Sequence, residues 1–190
     1  MTRVSARILA PVALAIGASS LAACSDQAAE PGTTSEAQVD SSIAEILVGQ
    51  DNLSTAAKAL QHVGLESVFD GEGSYTFLAP NDAAFEALGE AGAELLAKEN
   101  RPFLVAVLRD HIVPGHLTLE AITEAAGQNG GSVDMRTLGG SIATFSAGQD
   151  GLSVSLQDGD AVQVSGGALA GSNGVIIPVG GLLVAPATAE

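Results

Sequence analysis

Cysteine occurs once in the 190 residues, tryptophan is missing, and aromatic side chains make up only 3% of the chain, five Phe and one Tyr. Each scarcity closes a class of function. A disulfide scaffold needs cysteines in pairs, and a structural zinc site needs clustered Cys and His. A stacking platform for bases or sugars needs exposed rings. Basic residues are equally few: seven Lys and Arg stand against 22 Asp and Glu, for a formal net charge of −15. Only five of them, Lys58, Lys98, Arg101, Arg109 and Arg136, lie beyond residue 50. A nucleic-acid binder displaces counterions with a basic face, and five dispersed cations cannot build one. No stretch after residue 24 is both long and apolar enough to span a bilayer. What remains is 46% hydrophobic and carries 23 Gly. That composition buries a core and excludes a disordered acidic tail; the length suits one domain with appendages.

The start of the chain reads as a leader. Arg3 and Arg7 stand without acids in a short basic region, Ile8 to Ala18 is apolar, and Ser19-Ser20-Leu21-Ala22-Ala23-Cys24 closes the segment. This is the layout of a secretory signal. Leu21-Ala22-Ala23-Cys24 also matches the bacterial lipobox, in which the cysteine thiol takes a diacylglycerol and the chain is cut just before it. Residues 1–23 are therefore expected to be removed and Cys24 to carry the lipid, palmitate among its acyl chains. Several acyl chains anchor stably where one does not, at about 0.8 kcal/mol per buried CH₂. Loss of Arg3 and Arg7 leaves five basic against 22 acidic residues, a net −17, which repels nucleic acid and anionic headgroups. Ser25 after the cysteine, in place of Asp, fits the pattern routed to the outer membrane in two-membrane bacteria. The expected location is a bacterial cell envelope, extracytoplasmic and lipid-anchored.

Residues 24–38 form an acidic, Pro-Gly-containing tether that cannot bury enough surface to offset its ordering entropy. Its random-coil reach is about 20–24 Å. Residues 39–186 read as the folded domain, with 187–190 as a tail. Ser42 and Glu45 have capping-box spacing, and Asn52 is a candidate cap for a helix stopped by Gly64. Ser74 to Leu78 is strand-like; Asn81 caps a helix carrying Phe85 and Leu88, with Asp82 in its first turn. A helix from Asn100 is apolar nearly all round, which predicts full burial. Thr118 caps the last helix. After Gly127 the period changes to two, with turns at Gly139-Gly140, Asp150-Gly151 and Asp158-Gly159. Val175–Val179 and Leu182–Val184 read as buried strands. Helices followed by about seven strands in two blocks predict an α+β fold, not the alternation of a parallel sheet.

The residues then resemble a known family. Tyr75-Thr76-Phe77-Leu78-Ala79-Pro80-Asn81-Asp82-Ala83-Ala84-Phe85 is similar to the first block of the fasciclin domain. Leu108 through His111-Ile112-Val113-Pro114-Gly115 resembles the second, and Asn173-Gly174-Val175-Ile176 with Leu182-Leu183 the third. The Asn52-Leu53-Ser54-Thr55 helix start and a Thr137-Leu138 strand fit in order. The resemblance implies a wedge of two small β-sheets with helices alongside, and a role in adhesion or extracellular recognition. It departs at Asp110, where the family often has Tyr, and at Ile177 and Gly180. The receptor contacts that animal members make around the tyrosine and histidine are therefore not carried over.

The chemistry-bearing residues are sparse. His111 and His116 lack a third metal ligand, and the Asp-Gly pairs lack a calcium loop. There is no Gly-x-Ser-x-Gly nucleophile elbow, and the sole Cys is reserved for lipid. We expect no enzyme, cofactor or metal. The expected partner is an envelope or extracellular protein or glycan, with the membrane touched only through the anchor. Asp110 and His111 are the candidate contact residues, with a structural role for His111 as the competing reading. A carrier of a small apolar ligand is the alternative function.

Overall fold

The computed structural model describes residues 40–70, 73–157 and 159–183. Six α-helices and eight strands occur among them. The helices are α1 (Ile43–Val48), α2 (Ser54–Val63), α3 (Asp82–Ala87), α4 (Glu90–Leu95), α5 (Arg101–Asp110) and α6 (Leu119–Gln128). The strands are β1 (Tyr75–Pro80), β2 (Ile112–Pro114), β3 (Ser132–Arg136), β4 (Ile142–Gly148), β5 (Gly151–Leu156), β6 (Val162–Gln163), β7 (Leu169–Gly171) and β8 (Gly174–Val179).

The caps follow local chemistry. Ser42 Oγ accepts from the Glu45 N–H at 3.2 Å, and Glu45 Oε2 accepts from the Ser42 N–H at 2.9 Å, a reciprocal box at the start of α1. Asn81 Oδ1 accepts from the Ala84 N–H at 2.8 Å, and Thr118 Oγ1 from the Ala121 N–H at 3.2 Å. Gly64 ends α2 in the left-handed conformation, φ 75°, which costs a glycine nothing.

One expected cap is wrong. Asn52 lies in a short 3₁₀ turn, Asp51–Leu53, ahead of α2 and caps nothing. The cap comes from a different helix: Asp82 Oδ1 accepts from the Thr55 N–H at 2.8 Å, and its Oδ2 from the Ser54 hydroxyl at 3.0 Å. Burial would raise the Asp82 pKa, but these bonds from Thr55 and Ser54 outweigh it and hold the carboxyl below its ordinary value. Asp82→Ala is accordingly expected to cost about 1–2 kcal/mol and Asn81→Ala about 1 kcal/mol, whereas Asn52→Ala stays within about 0.5 kcal/mol. Urea melts of the three variants check the order; an Asn52 effect equal to that of Asp82 would contradict the remote cap.

The strands form two four-stranded sheets, ordered β2-β1-β8-β7 and β3-β4-β5-β6. The second is antiparallel throughout. In the first, β1 runs parallel to β8 from Tyr75↔Gly174 to Pro80↔Val179, with antiparallel β2 and β7 outside. A bridge between Val164 and Val179 links the two sheets. The fold is α+β as expected, but the two-block picture omitted this union of the first strand with the last.

The first sheet divides the interior. Phe77, Ala79 and Ile176 pack with α1, α2 and α5 in one core. Leu78, Val175, Ile177 and Val179 face the other core, shared with Phe145, Val154, Leu156 and Ile122 of α6. Residues of β1 and β8 thus alternate between two apolar environments, which is why these strands read as unbroken hydrophobic runs.

Three further expectations are corrected. Helix α5 buries Leu104, Val107 and Leu108, but Phe103 is 58% exposed; a 3.6-residue period turns only one stripe inward. Thr137-Leu138 is not a strand but the turn between β3 and β4. Leu182 and Leu183 form no strand either: Leu183 is buried in irregular chain, and Val184 lies outside the described residues.

Candidate functional site

The Asp110-His111 pair sits where the helical layer meets both sheets. The buried stripe of α5 carries the chain inward, so that His111, the C-cap residue, is 0% exposed. Its Nδ1 lies 2.9 Å from the Val107 carbonyl oxygen, which can only accept, so Nδ1 holds the proton. Nε2 then accepts the Leu183 N–H at 3.0 Å. Burial pushes the ring's pKa down to about 4, against the smaller upward pulls of the Val107 carbonyl and the Asp110 charge. The imidazole is neutral at physiological pH with both nitrogens engaged. The His111 carbonyl also accepts from the Leu78 N–H at 2.8 Å, so one residue binds α5, β1 and the C-terminal segment together.

Asp110 is half-buried and fastens the second sheet. Its Oδ1 accepts the Thr137 hydroxyl at 2.7 Å. Beside it the Gly139 N–H donates to the Arg109 carbonyl at 3.0 Å and the Leu138 N–H to the Ile112 carbonyl at 2.8 Å. A side chain at position 139 would run into the Asp110 carboxylate, which explains the glycine. The turn from β3 to β4 therefore docks on the end of α5.

The His111 ring is fully buried with both nitrogens engaged and presents no free lone pair at the surface, the geometry of the structural reading. Its role here is to clamp the layers. Asp110 shares the clamp through Thr137. Among the described residues no group of three or more His, Cys, Asp or Glu side chains could hold a metal ion. Cys24, the expected lipid attachment site, lies outside the described residues, as do residues 1–39 generally.

Two positions of equal structural weight carried no recognisable signal of their role. Thr76, 0% exposed, donates its hydroxyl to the Gly115 carbonyl at 2.8 Å and accepts from the Leu117 N–H at 2.9 Å. Asn173 accepts from the Ile43 N–H at 2.8 Å and donates to the Phe69 carbonyl, holding α1 and the turn Leu65–Asp70 against β8. Both lie in segments that resemble family blocks, Tyr75-Thr76-Phe77 and Asn173-Gly174, which pointed at the positions without giving their reason. Elsewhere, surface hollows lie among helices, one lined by Ala44, Leu47, Val48 and Glu66, another by Lys58, Ala59, His62 and Leu96.

Two small sheets, one containing a parallel pair of first and last strands, with α1, α2 and α5 packed on one face of that sheet and α6 in the core it shares with the second sheet, define a fasciclin-type fold. The family model for the fasciclin domain matches residues 51–185, and the chain belongs to that family. It is 33% identical over 150 residues to Protein sll1483 of Synechocystis sp. (strain ATCC 27184 / PCC 6803 / Kazusa), covering 75% of this chain and 79% of that one. A solved fasciclin domain pair from the insect cell adhesion molecule Fasciclin I shares the fold with a TM-score of 0.64 at 14% identity. That similarity covers 76% of this chain and 51% of the pair, so the present chain spans about half its length. Among the described residues no helix is long and apolar enough to cross a membrane.

Proposed function

We propose that this protein is a non-catalytic adhesion or recognition module of the bacterial cell envelope, held extracytoplasmically on a membrane by lipid on Cys24. The family match over residues 51–185 carries the first half of this reading. The lipobox Leu21-Ala22-Ala23-Cys24, with the chain's only cysteine at its required position, supports the second. The partner is an envelope or extracellular protein or glycan within the short reach of the tether. Against a mature charge of −17, its contact face is cationic or largely uncharged. A cationic face makes association slow steeply as salt rises; an uncharged one leaves it nearly constant.

Anchoring has a direct test. Cys24→Ser is expected to abolish palmitate labelling and to release the folded chain or leave it as unprocessed precursor. Labelling that persists in this variant overturns the anchor. Adhesion is tested by cross-linking in intact envelopes with the lipidated protein as bait. Reproducible capture of one envelope component, reduced when the tether residues 27–38 are deleted, supports the module. Turnover of a substrate by the purified chain instead contradicts its non-catalytic character.

A further inference from the structure

We infer that Asn129 is a site of spontaneous covalent modification in the folded protein, its carboxamide cyclising onto the Gly130 nitrogen, while the sequence-equivalent site at Asn173 is protected by the fold. Two of the five asparagines, Asn129 and Asn173, are followed by glycine. In such a pair the backbone nitrogen of the glycine attacks the carboxamide carbon. A new N–C bond forms, the carboxamide nitrogen leaves as ammonia, and a five-membered imide results. Water then opens the imide at either carbonyl, giving aspartate or isoaspartate. The balance is one water consumed and one ammonia released, with no oxidant or reductant. Glycine favours the step because no Cβ shields its nitrogen and its backbone turns freely. By sequence the two pairs are equals.

The structure separates them. Asn129 is exposed at the C-terminal end of α6, followed by Gly130 at φ 79° and Gly131 at φ 106°. Among the described residues the Gly130 N–H, the attacking group, donates no backbone hydrogen bond. The carboxamide is held by one exposed bond, Nδ2 to the Ala125 carbonyl at 2.7 Å. The Asn129 N–H bonds the carbonyls of Ala125 and Ala126 in the last helical turn, the part of a helix that frays most readily. Breaking these surface contacts frees the carboxamide to rotate toward the Gly130 nitrogen without opening the sheets.

Asn173 has no such freedom. Both ends of its carboxamide are bound, to the Ile43 N–H and the Phe69 carbonyl, and its own carbonyl accepts from the Tyr75 N–H at 3.2 Å. Gly174 is buried between Tyr75 and Gly171 in the first sheet. Reaction there requires β8 to part from β1, an opening close to global unfolding.

Modification at Asn129 has a structural consequence. The capping amide becomes a carboxylate beside the Ala125 carbonyl, at the negative end of the α6 dipole, where added negative charge is unfavourable. The neighbouring anchor is the Gly131 N–H to the Ala126 carbonyl at 2.8 Å, and the Ala147 N–H to the Gly131 carbonyl at 2.9 Å ties it to β4. The aged chain therefore carries one further negative charge and a loosened junction between α6 and the second sheet. This chemistry is independent of the anchoring and adhesion proposed above.

The test is peptide mapping by mass spectrometry of the full chain aged in mildly alkaline buffer, native and in denaturant. In native buffer the peptide containing Asn129 gains one dalton and splits into aspartate and isoaspartate forms. It is expected to outpace the Asn173 peptide by at least about a hundredfold. In denaturant the two rates converge. Asn129→Gln, a substitution at an exposed position, removes the native mass gain and the accompanying acidic shift on isoelectric focusing. Comparable native rates at Asn129 and Asn173, or native Asn129 intact while denatured Asn129 reacts, overturn the inference.

Discussion

His111→Ala is expected to destabilise the domain by about 3–4 kcal/mol, far beyond a surface substitution. The change opens a cavity at a 0% exposed position and strands the Leu183 N–H and the Val107 carbonyl without their ring partners. One buried partner left unpaired costs about 1–3 kcal/mol; two partners and a void raise it. A pH signature separates this clamp from simple bulk. The ring's pKa is about 4 when folded and 6.5 when free, because burial disfavours its charged form. Between these values the unfolded chain binds the extra proton. The stabilisation is therefore complete above pH 6.5 and is lost as pH falls toward 4. From pH 7.5 to 5 the loss from this group is about 2 kcal/mol. Denaturant melts at the two pH values should show it in the wild type and not in His111→Gln. A wild-type midpoint unchanged over that range would exclude a neutral buried imidazole.

Gly174→Ala is expected to cost about 4 kcal/mol or more, and to leave much of the chain unfolded at 37 °C. The added methyl group would be driven into the Tyr75 carbonyl oxygen, with the Tyr75 nitrogen also only 3.2 Å away. Both are backbone atoms of the parallel neighbour, which cannot rotate aside as a side chain can. Relief requires prising β1 from β8, the pair that separates the two cores. Gly167→Ala is the matched control. A methyl group there meets nothing within 4 Å and its φ lies outside the left-handed region, so the change stays near zero or stabilises slightly through the unfolded state. Equal melts for the two variants would show that close strand approach is not what selects glycine at 174.

Much of this protein is written locally. The Ser42–Glu45 box, the Asn81 and Thr118 caps, the Gly64 stop and the Gly151 hairpin each depend on bonds or turns within a few residues. Composition alone likewise excluded a nucleic-acid binder and a disulfide scaffold, since both depend on how many residues of a kind exist. The resemblance of three ordered blocks pointed to the family, and the structure places those blocks on β1 with its following helix, the end of α5 with β2, and β8.

Only the tertiary structure decided the rest. Asp82 was legible as a first-turn acid of α3, yet it caps α2 across 27 residues. His111 looked available for contact, yet its ring is closed off by Leu183, 72 residues away. Leu182–Leu183 has the composition of a strand, yet the Leu183 N–H pairs with the His111 ring and not with a neighbouring strand. Asn129 and Asn173 are the same dipeptide in sequence, and differ only in what the fold has brought against them. Local bonds are fixed by spacing along the chain, because their partners are always within reach. Distant ones exist only once two apolar cores have closed on either side of the first sheet and brought remote groups within hydrogen-bond distance.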